Sequence, residues 1–180
     1  MKNITIKQLV YCSLLAALGA VFSAFLSIEI PFGGSKIVEI SLAPVCVMLA
    51  GILFGPLLGG LVGFVADTAG FFLGAQHGAY NPIFSVTMAL FGVIAGLFYL
   101  KDKKIEWIKI LIISIVAQVV CSILLNTFAI NLFYGVPLKV LFPPRIISAL
   151  VEIPVYFVLL LLLAKRLVPF IRKERVISNQ

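Results

Sequence analysis

With 180 residues, 62% of them hydrophobic and only 12% charged, the chain holds more apolar side chains than a soluble domain of this size can bury. Its apolar runs are continuous rather than alternating, which excludes a closed membrane barrel and leaves several spanning helices. A net charge of +7 would suit nucleic acid, but the bases stand at the ends of apolar runs, where they set orientation.

Lys2 and Lys7 precede an apolar run over about 8–28. A signal peptide has an apolar region of only ~7–15 residues, so this run reads as a retained helix. Ser13, Ala16, Ala20, Ser23 and Ser27 line one small-residue face, and Ala16-xxx-Ala20 and Ala20-xxx-Ala24 both fit the small-xxx-small pattern. Such a face docks closely onto another helix, within the bundle or on a second protein. "EIPFGGSKIVEI" follows as a Pro-Phe-Gly-Gly turn between two short amphipathic pieces, and its "GGSK" lacks the context of a phosphate loop.

A shorter helix is expected over 41–54, and "GP" at 55–56 ends it and begins the next, over 56–73. Here Gly55, Gly59, Gly63 and Asp67 recur every four residues, on one face. Glycine at that spacing admits another backbone, so Asp67 points at protein rather than lipid and needs a partner there. A loop with Gln76, His77, Tyr80 and Asn81 leads to a helix over 83–100, starting near Phe84. His77, the only histidine, is a weaker candidate, since a lone loop histidine is more often just a surface hydrogen bonder.

After the charged "KDKK", a helix over 107–133 carries Ser114, Gln118, Ser122 and Asn126 on one polar face. "YGVPLKVLFPP" reads as a loop before a last helix over 145–168, with Arg145, Ser148, Glu152 and Tyr156 on one face. Arg145 pairing with Asp67 or Glu152 would serve structure alone. The three stripes together read as a pocket in the outer half of the bundle.

The expectation is therefore an all-α integral membrane protein, a single six-helix bundle over 1–180. Eleven of the 14 bases fall on one side if both termini are cytoplasmic, against Lys36, Lys139 and Arg145 outside. Cys12, Cys46 and Cys121 read as packing residues. No Walker, GxSxG, HExxH or metal pattern is present, which predicts a non-enzyme with no cofactor and no ATPase site of its own.

Three stretches, "LAGILFGPLLGGLVGFVADTAGFFL", "GAYNPIFSVTMALFGVIAGLFY" and "LLNTFAINLFYGVPLKVLFPPRIISALVEIPV", resemble the substrate-binding S components of energy-coupling factor vitamin transporters, most of all the folate type. The resemblance spans roughly residues 37–160. It departs at "NPIFSVT", where that group commonly has Pro-Gly-Phe-Thr after the loop tyrosine.

The resemblance implies a multi-pass protein of a prokaryotic cell membrane that captures a vitamin, folate first, from outside. Its partners would be a transmembrane coupling subunit, met through Ala16, Ala20 and Ala24, and two ATPases, with no nucleic acid. The binding set would be Lys36, Asp67, Gln76, His77, Tyr80, Asn81, Phe84, Gln118, Asn126, Arg145 and Glu152. Arg145, at the start of the last helix, would hold a folate carboxylate with its guanidinium fork and the helix's positive end, aided by Lys36. Asn126, Gln118 and Asp67 would read the pterin ring, with Phe84, Tyr80 or Phe133 against its faces. Other readings are an S component for a pantothenate-, pyrimidine- or pyridoxine-like ligand, and a secondary transporter using Asp67 or Glu152 as proton carrier. No inverted repeat supports the transporter, and no nucleophile–base pair supports an intramembrane enzyme.

Overall fold

The computed structural model describes residues 6–32, 35–74, 80–99 and 106–177, with the backbone alone at 28–32, 35–39, 99 and 168–177. Helix α1 (Ile6–Phe25) leads into an antiparallel hairpin of β1 (Ile28–Phe32) and β2 (Ser35–Ile40). Then come α2 (Ala43–Phe54), α3 (Pro56–Leu73), α4 (Pro82–Tyr99), α5 (Trp107–Tyr134) and α6 (Leu138–Ile177). The all-α bundle of six helices is as expected, with the hairpin added where two amphipathic pieces were expected.

Four of the helices, α1, α3, α5 and α6, are long and apolar enough to cross a membrane. Their outer faces leave large apolar side chains exposed, such as Leu57, Leu61 and Val65 on α3 and Ile147, Leu150 and Val151 on α6. These faces suit lipid as solvent. At 12 residues, α2 reaches only ~18 Å, short of the ~30 Å hydrocarbon core. It is buried from Ala43 to Ile52, which explains an apolar composition without a polar face.

Helices α2, α3 and α4 meet backbone to backbone. A methyl group at Gly59 would lie 2.6 Å from the Gly51 Cα of α2 and 2.8 Å from the Gly92 oxygen of α4. One at Gly63 would meet the Met88 oxygen at 2.5 Å. Between α2 and α3 stands the single residue Gly55, whose φ of 98° a side chain would strain.

Three expectations are refined or corrected. The first concerns Ala16, Ala20 and Ala24. Ala16 and Ala20 are buried in the chain's own core, and α1 packs on α3. A methyl group on Gly70 would meet the Ala20 oxygen at 3.2 Å, and one on Gly74 would meet the Ala24 Cα at 3.1 Å. Part of the small-residue face thus packs within the bundle, one of the two kinds of neighbour its pattern allowed, while Ala24 stays partly exposed. Ala20→Leu is expected to lower the melting temperature in detergent by overpacking this contact, a cost of about 1–3 kcal/mol. Unchanged melting with impaired assembly would return the face to a partner.

The second correction concerns the last helix, which begins at Leu138 rather than 145 and runs on to Ile177. The Pro137 oxygen accepts from Val140 at 2.9 Å, opening the helix before Pro143 and Pro144. Proline's φ suits a helix, and the two missing donors cost only the in-helix bonds to the carbonyls of Lys139 and Val140, both exposed residues of the first turn. Arg145 consequently sits about two turns inside α6, beyond reach of the positive end that was to favour an anion. The third correction is in α5, where residues 118–126 form a π-helical segment between two α-helical stretches.

Candidate ligand-binding site

Two hydrogen-bonded groups assemble the polar residues. The first lies between α3 and the start of α4. Along these antiparallel helices Gly59 opposes Gly92, Gly63 opposes Met88 and Ala89, and Asp67 meets Ser85. The buried Ser85 hydroxyl donates to Asp67 Oδ2 at 2.7 Å, so the carboxylate is accepted because α4 offers it a donor. Tyr80 Oη lies 2.9 Å from Ser85 Oγ and 3.1 Å from Thr68 Oγ1. Its ring is held by Phe71 and Phe72, with centroids 5.2 and 5.7 Å away. Asn81 Oδ1 accepts from the Ile83 N–H at 3.1 Å, capping α4.

Tyr80→Phe removes two hydroxyl contacts while keeping the ring. It is expected to cost about 1 kcal/mol of stability, read as a lower melting temperature. A variant as stable as the parent would show that the hydroxyl does not tie α3 to α4.

The second group joins α5, α6 and the entry to α2. The Gln118 amide donates through Nε2 to Glu152 Oε2, both residues being buried. Tyr156 Oη lies 2.8 Å from the Ser41 carbonyl oxygen and 3.2 Å from Glu152 Oε1. Arg145, also buried, donates from Nη1 to the Ser122 carbonyl oxygen at 2.7 Å, clasping α6 to the π-helical segment. Phe84 reaches toward this side, against the small cluster of Ile130, Val136 and Leu141.

The chain that carries these acidic, amide and hydroxyl groups matches a known family along most of its length. The model of the ECF-type riboflavin transporter S component matches residues 3–169. The chain belongs to this family of membrane proteins.

Among curated relatives, the folate transporter FolT of Clostridium novyi (strain NT) is 29% identical over 160 residues, 89% of this S component and 88% of that protein. Among solved structures, a crystal structure of FolT bound with folic acid superposes with a TM-score of 0.78 at 28% identity, covering 91% of this chain and 95% of that one. The S component of a bacterial ECF transporter superposes at 0.61 and 25% identity, covering 91% and 96%.

Of the residues expected to bind ligand in this S component, the structure brings Gln118 to Glu152 and Asp67 to the Tyr80 group through Ser85. Asn126 and Arg145 lie on or against the same π-helical segment. Gln76 and His77 lie outside the described residues, and Lys36 is placed only as a backbone position opposite Pro31. Thr68, Ser85 and Ser41 were missed. Single hydroxyls in apolar runs form no stripe, and only a buried carboxylate's need for a donor could have pointed to Ser85.

Proposed function

We propose that this S component binds folate at the outer side of the membrane and delivers it inward with energy from partner ATPases. The observation that carries the reading is the superposition on the folic acid complex over nine-tenths of the chain, at 0.78 against 0.61 for the other S component. The buried amide–carboxylate pair of Gln118 and Glu152 supports it, because a pterin ring presents donors and acceptors that such groups read. The family model's own description names riboflavin, which makes a flavin the second reading.

The chain would hold no ATPase site, and a transmembrane coupling subunit with two ATPases would complete the transporter. Both termini would be cytoplasmic, the side that collects eleven of the 14 bases.

Titration of the purified chain with folic acid and with riboflavin, followed by the fluorescence of the single tryptophan Trp107 or by calorimetry, tests the ligand. The reading expects tight folic acid binding without ATP and no accumulation by vesicles containing the chain alone. Preference for riboflavin, or concentrative uptake by the isolated chain, would overturn it.

A further inference from the structure

Gln118, Arg145 and Glu152, all expected to meet the ligand, are at most 6% exposed. A ligand cannot reach them in this closed arrangement, so binding needs a part of the bundle that moves. Helices α1 to α4 are poorly suited to that. Their backbones meet at Gly51, Gly59, Gly63, Gly92 and Gly96, and α1 is seated on Gly70 and Gly74. Interiors packed so closely resist deformation.

Helices α5 and α6 divide into two parts. Ile110, Ile113 and Ala117 of α5 and Tyr156, Leu160 and Ala164 of α6 belong to the main core. Toward the hairpin end of the bundle, Ile130, Val136 and Leu141 form a separate small cluster, with Ile40, Phe84 and Tyr134 packed against it. The division falls where both helices depart from regular bonding. In α5 the π-helical segment begins at Gln118. In α6, Pro154 has no N–H to give the Leu150 carbonyl, and proline inside a helix is a common cause of bending. The Gln118–Glu152 hydrogen bond puts these two points level, since Pro154 follows Glu152 by two residues, ~3 Å along the helix. Two facing helices, each weakened at the same level, make a hinge.

Beyond the hinge, residues 119–134 and 138–153 hold together as an arm. Arg145 Nη1 donates to the Ser122 oxygen at 2.7 Å, and Asn131 Nδ2 donates to the Val136 oxygen at 2.8 Å across the short connection. The arm's outward side chains, Phe128, Leu132, Ile147 and Leu150 among them, are apolar and exposed. Lipid tails are as apolar as leucine, so these faces can swing through the bilayer without a hydrophobic penalty.

We infer that the α5–α6 arm is the gate of the site, swinging about Gln118 and Pro154 in the ligand-free protein to admit folic acid and closing once it is bound. The inference rests on the folate reading and adds the moving part to it. Arg145 travels with the arm, so opening carries it away from the fixed helices and uncovers it.

The test uses the full chain in detergent, with nitroxide labels on cysteines introduced at two exposed pairs. Leu132→Cys with Leu73→Cys reports the arm against the hairpin end of α3, and Ile108→Cys with Leu57→Cys reports the opposite end of the same helices. Cys12, Cys46 and Cys121 are buried and should escape labelling. Folic acid should shorten and narrow the first distance distribution and leave the second unchanged. Pro154→Ala supplies the missing donor to the Leu150 carbonyl and stiffens α6. Folic acid association, followed by stopped-flow quenching of Trp107, should slow at least ~5-fold in this variant, and dissociation with it, so that the equilibrium affinity stays within about threefold of the parent. A purely structural role for Pro154 would change stability or affinity without slowing both rates together.

An arm distance that folic acid leaves unchanged, or a parent-like association rate for Pro154→Ala, would overturn the inference while sparing the folate reading, since calorimetry on the same proteins reports binding by itself. No binding of folic acid by the parent would overturn the folate reading, and with it the gate for folic acid.

Discussion

Gly59→Ala should abolish the folded bundle, although it adds one methyl group to a helix that alanine otherwise favours. The new Cβ would stand 2.6 Å from the Gly51 Cα and 2.9 Å from its nitrogen, and the Gly92 oxygen at 2.8 Å closes the other side. Each obstacle is backbone in a packed helix, so no rotamer change relieves it. Helices α2, α3 and α4 would have to separate, and since α2 is buried on all sides the core would open with them. Overpacking costs typically 1–3 kcal/mol when side chains can shift, and about 3 kcal/mol or more is expected where backbone must. Gly60→Ala is the control. Its methyl group would meet the end of the Val93 side chain at 3.0 Å, which can turn away. Size-exclusion profiles and melting temperatures in detergent should show loss of monodisperse protein for the first variant and near-parent behaviour for the second. Equal behaviour would mean that the three-helix contact is not what holds the core.

Arg145→Ala should weaken folic acid binding by about 100-fold, equivalent to ~2.7 kcal/mol. Arg145 is 6% exposed, its guanidinium donates to the Ser122 oxygen, and it shares a helix face with Glu152. A planar fork in such a place can meet a carboxylate with two parallel bonds while one nitrogen still holds α5. Arg145→Lys should also bind weakly, because an ammonium reproduces neither the fork nor its span. The rival account gives Arg145 only the task of neutralising Glu152. A double-mutant cycle with Glu152→Gln separates the two. Persistent loss in a well-folded Arg145→Ala/Glu152→Gln protein places Arg145 on the ligand, whereas full rescue makes it a structural partner.

The features legible in the sequence were those with a regular period. Gly59, Gly63 and Asp67 share a face because an α-helix repeats them, and the structure turns that face onto α4 at Gly92, Met88 and Ser85. What escaped was set by context. Small residues at 16, 20 and 24 announce close approach without naming the neighbour, and here Gly70 and Gly74 meet the backbone at Ala20 and Ala24. Pro143 and Pro144 read as a loop, yet the helix loses only the bonds to the Lys139 and Val140 carbonyls, which belong to exposed residues of its first turn. The π-helical register was invisible too. The four-residue stripe of Ser114, Gln118, Ser122 and Asn126 gave the right face while hiding Thr127, which no α-helical wheel would place there.

The direct measurement is mass spectrometry of the small molecule released from the chain after purification from cells grown with both folic acid and riboflavin. A folate recovered in near-stoichiometric amount, and lost from the Arg145→Ala protein, is the predicted result. Recovery of riboflavin, or of no vitamin at all from a protein that is folded and monodisperse, would contradict the proposal.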